Sequence, residues 1–255
     1  MQRKKALLTY LSGTLGQIII TCLIVYLLRY HGIQTDYTTV IGMLAIGIGG
    51  ISSALWGVII SMKYRKISFK KILMNFINIK QSYRSYALVL LFLLLDFGNI
   101  LFGGQIQIRS WYIPIILFLK AMIFGGIEEI GWRYTFQPIL QEKCHYVLAT
   151  VVTFLAWGAW HFLYFYIEGS LCQVDIIPFL MGLLTNCFIL SALYSKTKSL
   201  WICAMTHALI NVLSQLASGG NVYLLLACRV MIIILAVYIS VHANKKVCRD
   251  SIHAD

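Results

Sequence analysis

Two adjacent glutamates, Glu128 and Glu129, stand inside an apolar stretch that runs from Ile123 to Arg133. A charge at the centre of a bilayer costs at least about 2.5–3.5 kcal/mol, and neighbouring carboxylates repel one another. A chain that keeps such a pair must neutralise it or use it. Glu129 and Arg133 are four apart, in the Glu-before-Arg order that favours pairing on a helix. Arg133 is therefore expected to neutralise Glu129. Successive helical residues point about 100° apart, which leaves Glu128 turned towards other partners. Two more predicted helices carry polar groups to the same depth. His161 lies four residues after Trp157, and His207 lies four before Asn211, so each pair shares one helix face. Intramembrane ionisable groups face the bundle interior or a wet cavity, and one shared cavity is the economical arrangement.

Such a cavity suits attack of activated water on an amide carbonyl. Glu128, aided by His161, takes the proton as general base. The ring N–H of His207 and the amide N–H of Asn211 hold the oxyanion, a role that commonly contributes a few kcal/mol. Alternatively, Glu128, His161 and His207 could supply three zinc ligands with one position left for water. No His-Glu-x-x-His places two ligands on one helical turn, and Asn211 and the second glutamate fit oxyanion and positioning roles. The metal-free form is preferred; a zinc cofactor is the alternative.

The rest of the chain must position these groups. Of 255 residues, 60% are hydrophobic and 12% charged, with a mean hydropathy of +0.80. That is an all-α polytopic membrane helix bundle, because backbone groups in lipid need internal partners. Runs near the ~20 residues of a spanning helix lie at 6–28, 38–62, 86–102, 112–131, 146–166, 177–195, 200–218 and 222–241, making about eight transmembrane helices. The first run lacks a small-residue cleavage site and is expected to be retained. With an even number of crossings, one side holds Arg3, Lys4, Lys5, Lys63, Arg65, Lys66, Lys70, Lys71, Lys80, Arg84, Arg133, Lys143, Lys196, Lys198, Lys245, Lys246 and Arg249. The opposite loops hold only Arg29 and Arg109. This asymmetry predicts that both termini are cytoplasmic. It also accounts for the net charge of +12 without nucleic acid as a partner.

The expected organisation is a single integral unit. Residues 1–110 hold the first three spans, with a basic amphipathic surface segment at 63–85; 111–218 hold the polar constellation; 219–255 hold the last span and a basic tail. Cys22, Cys144, Cys172, Cys187, Cys203, Cys228 and Cys248 are scattered singly, so they are expected to be small buried hydrophobes and not a disulfide framework. His31, His145, His242 and His253 fall in loops or near the chain end. Asp96 and Arg229 are expected to be packing partners, and Lys120 is expected to reach outward to the interface. The predicted helix ends leave Glu128 and His161 more than about 10 Å apart in depth at 1.5 Å per residue. For them to meet, the fourth helix must start outside the hydrocarbon or run on towards Gln141.

Glu128-Glu129 with Arg133, then Trp157 with His161, then His207 with Asn211, resemble the ordered motifs of the CPBP intramembrane proteases, a group that includes CAAX proteases and bacteriocin-processing, Abi-like enzymes. Leu193–Trp201 looks similar too, and the resemblance covers about 112–217. Trp157 stands where that group usually has phenylalanine. The resemblance implies an intramembrane endopeptidase, either metal-free or a metalloprotease, in a bacterial cell membrane. Its substrate would be a peptide or lipidated protein; type II CAAX prenyl endopeptidases remove a tripeptide after a prenylated cysteine. The alternative is a non-catalytic bacteriocin self-immunity or partner-binding membrane protein using the same cavity. A proton-coupled transporter would also want buried carboxylates, but no internal repeat is evident.

Overall fold

All eight apolar runs are helical in the computed structural model, which describes residues 2–252 and the side chains of residues 2–243. Lys245, Lys246, Cys248, Arg249 and His253 lie outside the described side chains. Helix α1 (Gln2–Tyr30) is followed by α2 (Val40–Gly50) and α3 (Ser52–Tyr64), a single span interrupted at Ile51. Next come the short α4 (Phe69–Phe76) and α5 (Tyr83–Phe97). Helices α6 (Ile113–Ala121), α7 (Glu128–Gly131) and α8 (Gln137–Gln141) form one column, joined by π turns at Met122–Gly126 and Trp132–Phe136. The chain continues through α9 (Tyr146–Glu168), α10 (Ile176–Thr197), α11 (Leu200–Leu216) and α12 (Val222–Ile252). Among the described residues six spans are long and apolar enough to cross a membrane, and Leu200–Leu216 is a shorter apolar helix.

Polar caps mark where the elements begin. Thr39, Ser68, Ser82 and Ser199 each accept a backbone N–H from the first turn of the following helix, satisfying donors that the helix leaves free. The basic surface segment contains α4, with Ile72 buried and Lys70 and Lys71 exposed. Glycine lets backbones meet at two places that matter for the site. A Cβ on Gly131 would stand 2.3 Å from the Ser53 carbonyl oxygen, and one on Gly57 would stand 2.7 Å from the Gly131 Cα. Helix α7 therefore lies directly on α3. On the next face, Gly49 and Gly50 of α2 admit Ile167 and Tyr164 of α9.

Two expectations are revised. The fourth run does not stop at Gly131; the column continues to Gln141. Glu128 is then thirteen residues before the turn and His161 fifteen after it, about 20 and 22 Å along their helices at 1.5 Å per residue. The depth mismatch disappears. For the same reason Arg133 is fully buried and is not a loop charge, so it drops out of the topological asymmetry. The all-α reading also missed a small antiparallel pair, β1 (Gly104–Ile106) with β2 (Ala217–Gly219), in the register Gly104↔Gly219 and Ile106↔Ala217. It ties the 98–112 connection to the end of α11.

Candidate functional site

Helices α7, α9 and α11 converge on one cavity of about 460 Å³ whose walls include Glu128, His161, His207 and Asn211. Its size is that of a ligand pocket. Glu128 Oε2 accepts a 2.7 Å hydrogen bond from the indole Nε1 of Trp157. His161 Nδ1 lies 2.9 Å from the Trp157 carbonyl oxygen. A carbonyl only accepts, so Nδ1 carries the proton and the Nε2 lone pair is left free. The imidazole packs edge-on against Trp157 and Trp160, each with ring centroids 5.1 Å away.

His207 and Asn211 face the same space across the first π turn. His207 Nδ1 is 2.8 Å from Glu129 Oε1, which fixes the ring and leaves Nε2 for the cavity. A Cβ built on Gly125 would stand 2.6 Å from Asn211 Nδ2 and 3.2 Å from His207 Nε2. The two polar nitrogens thus converge over a spot that only glycine leaves open. The preceding π turn re-phases the column, a device frequent at functional sites.

Glu129 and Arg133 lie behind the cavity, both with no solvent exposure. Arg133 Nε is 3.4 Å from Glu129 Oε2, a charge contact without hydrogen-bond alignment, since both atoms lack a hydrogen-bond partner. The guanidinium also sits 4.2 Å over the Trp157 ring and reaches Cys187 Sγ at 3.3 Å. Glu129 is therefore more than the partner of Arg133: its carboxylate bridges Arg133 and His207. Spacing along one helix could not reveal the second contact.

The sequence reading also missed three features. Trp157 supplies an N–H to Glu128 that phenylalanine would lack. Lys120, exposed as expected, also borders the cavity with Glu168 and Gln215. Arg229, expected to be a packing residue, borders an adjoining cavity of about 310 Å³ that shares His161, His207 and Asn211. Among the described residues no three His, Cys, Asp or Glu side chains are grouped to hold a metal ion.

Comparison with known proteins falls on this same region. Residues 109–213 match the model of the Rce1-like family, type II CAAX prenyl endopeptidase. The chain is also 27% identical over 146 residues to a Methanococcus maripaludis protein described as CAAX prenyl protease 2, an alignment covering 51% of this chain and 52% of that relative. The chain thus spans about half the length of the curated relative it matches. The resemblance to the CPBP group is carried by these comparisons as well as by the three motifs.

Proposed function

We propose that this chain, with its Rce1-like segment, is an intramembrane endopeptidase that cleaves a peptide bond of a membrane-associated substrate by glutamate-activated water. The observation that carries this reading is the convergence of Glu128, His161, His207 and Asn211 on one cavity, with Glu128, His161 and His207 each held at one polar atom by a neighbour. Water placed between Glu128 and the free Nε2 of His161 gives its proton to the carboxylate and adds its oxygen to the scissile carbonyl. The carbonyl oxygen becomes an oxyanion beside Asn211 Nδ2 and His207 Nε2. With Nδ1–H given to Glu129, His207 Nε2 donates when the ring carries both protons, and Glu129 is then its counter-ion. Glu128 returns the proton to the leaving nitrogen, the C–N bond breaks, and an acid and an amine leave.

No step in this scheme runs through a metal. Lipid-exposed entry suits the wall that contains Phe124, Tyr164 and Phe165, since a prenyl or acyl chain would meet apolar rings there. The test is purified protein in lipid vesicles with a prenylated-cysteine peptide. Glu128→Ala or His161→Ala is expected to abolish cleavage at unchanged protein level. His207→Ala or Asn211→Ala is expected to cost about 10²–10³ in turnover, and a zinc chelator should leave the wild-type rate unchanged. Cells in which Glu128→Ala and His161→Ala keep full biological effect would favour the non-catalytic binding role.

A further inference from the structure

Between the start of α5, the end of α10 and the Tyr238–His242 turn of α12 lies another cavity, of about 420 Å³, that shares no residue with the site above. Arg84, Lys196 and His242 border it, and no acid does. Neither Arg84 nor Lys196 forms an ion pair among the described residues. The Nε of Arg84 donates to the Tyr83 hydroxyl at 3.2 Å and its guanidinium lies over that ring, which steers the side chain and leaves both Nη groups to donate elsewhere. The hydroxyls of Ser82 and Ser85 are 2.9 Å apart. Their mutual bond uses one of two protons, so one is left for an outside acceptor. His242 Nδ1 meets the Tyr238 carbonyl at 2.9 Å, which leaves Nε2 free. The start of α5 is fixed in place by Trp201 of α11, whose Nε1 donates to the Tyr86 hydroxyl at 3.1 Å.

We propose that this cavity binds an anionic phospholipid, its phosphate held by Arg84, Lys196 and the Ser82–Ser85 hydroxyl pair and its acyl chains laid along α5 and α12. The inference is independent of the endopeptidase reading. Two like charges on one cavity repel, and an anion between them turns that cost into attraction. A phosphate has oxygens enough to meet donors from several elements at once, and arginine binds it through a two-pronged fork. The apolar lining, Leu88, Tyr238 and Ile239, identifies the anion as a lipid. Helix α5 runs from Arg84 inward to Leu88, and α12 runs outward from Ile239 to His242, so both helices change from apolar to polar at the same end of the cavity. Leu91 and Ile234, one turn further in on the same helix faces, are exposed and continue the apolar surface. Arg84 and Lys196 stand at the end of the bundle where the loop lysines and arginines gather, and basic pockets between helices at that depth suit anionic headgroups. A lipid held there bridges α5, α10 and α12.

The experiment measures the melting temperature of the purified protein in a non-ionic detergent with added phosphatidylglycerol, phosphatidylcholine of the same acyl chains, or inorganic phosphate. Phosphatidylglycerol is expected to raise it by at least about 3 °C more than phosphatidylcholine, and inorganic phosphate to leave it unmoved. Arg84→Gln combined with Lys196→Gln is expected to abolish the difference between the two lipids. Lys70→Gln combined with Lys71→Gln, on the exposed face of α4, is expected to keep it. Equal effects of the two lipids on the wild type overturn the proposal, and that comparison needs no variant to fold. Equal stabilisation by inorganic phosphate overturns the lipid as occupant. A lipid difference that survives in the Arg84 and Lys196 variant, or that falls as far in the Lys70 and Lys71 variant, assigns the effect to general surface charge and overturns the site.

Discussion

Trp157 is held on both faces of its role: the guanidinium of Arg133 covers its ring, while its Nε1 holds the carboxylate that is to take the proton. A hydrogen bond to a charged group is worth about 1.5–3 kcal/mol. Trp157→Phe keeps an aromatic wall beside His161 and removes only that donor. We expect the protein to fold and its turnover to fall by roughly ten- to a hundredfold, measured by peptide cleavage at matched protein level. A rate equal to wild type would mean that Glu128 needs no such support. The polar groups themselves were legible in the sequence because ionisable residues in apolar runs are costly and few. Their partners were legible only where they share a helix. Arg133 was found four residues from Glu129, but the bond from His207 crosses 78 positions, and helix periodicity is blind to it. The cavity that Arg229 shares with His207 escaped notice for the same reason: nothing in the pattern of α12 shows it.

At the level of elements, two glycines do different work and should fail differently. Gly125 sits in the π turn, and its added methyl would meet the flexible end of Asn211 at 2.6 Å. Asn211 can swing away, so Gly125→Ala is expected to cut turnover strongly while the melting temperature stays near wild type. Gly131 faces backbone, the Ser53 oxygen at 2.3 Å, and backbone does not yield. Overpacking of this kind costs about 1–3 kcal/mol, so Gly131→Ala is expected to lower the melting temperature in detergent as well as the activity. The reverse pattern, a melting loss for Gly125→Ala and none for Gly131→Ala, would contradict the packing described for α3 and α7. Helix existence was readable from hydrophobic runs throughout. The continuation of the fourth run towards Gln141 was not readable from the apolar runs and entered only as one of two ways to bring Glu128 level with His161, because Arg133 looks like the start of a loop when its burying partners lie on other helices. The β1–β2 pair was unreadable for a similar reason, since three residues carry no alternation to detect.

Across the whole molecule, the site has a direction. The cavity runs from Glu128 towards Lys120, Glu168 and Gln215, which lie towards the end of the bundle holding the α9–α10 turn and the β1–β2 pair. The loop lysines and arginines gather at the opposite end. At the mouth end, Arg29 is already committed: it donates to the Tyr166 and Ile167 carbonyls and to Thr35, capping α9 where helix carbonyls are left over. Among the described residues only Arg109 remains there as a loop cation in the open. By the positive-inside bias, the mouth is expected to face away from the cytoplasm. The chain carries its own reporters for this arrangement, because Cys172 is exposed in the α9–α10 turn while Cys144 lies in the turn before α9 and the other described cysteines are buried. In intact cells a membrane-impermeant maleimide is expected to label the protein, and Cys172→Ser is expected to abolish that labelling; Cys144 should react only after the membrane is opened. Labelling of Cys144 from outside, with Cys172 protected until permeabilisation, would invert the molecule. The proposed water and oxyanion donors would then be reached from the cytoplasm, and their substrates would have to be sought there.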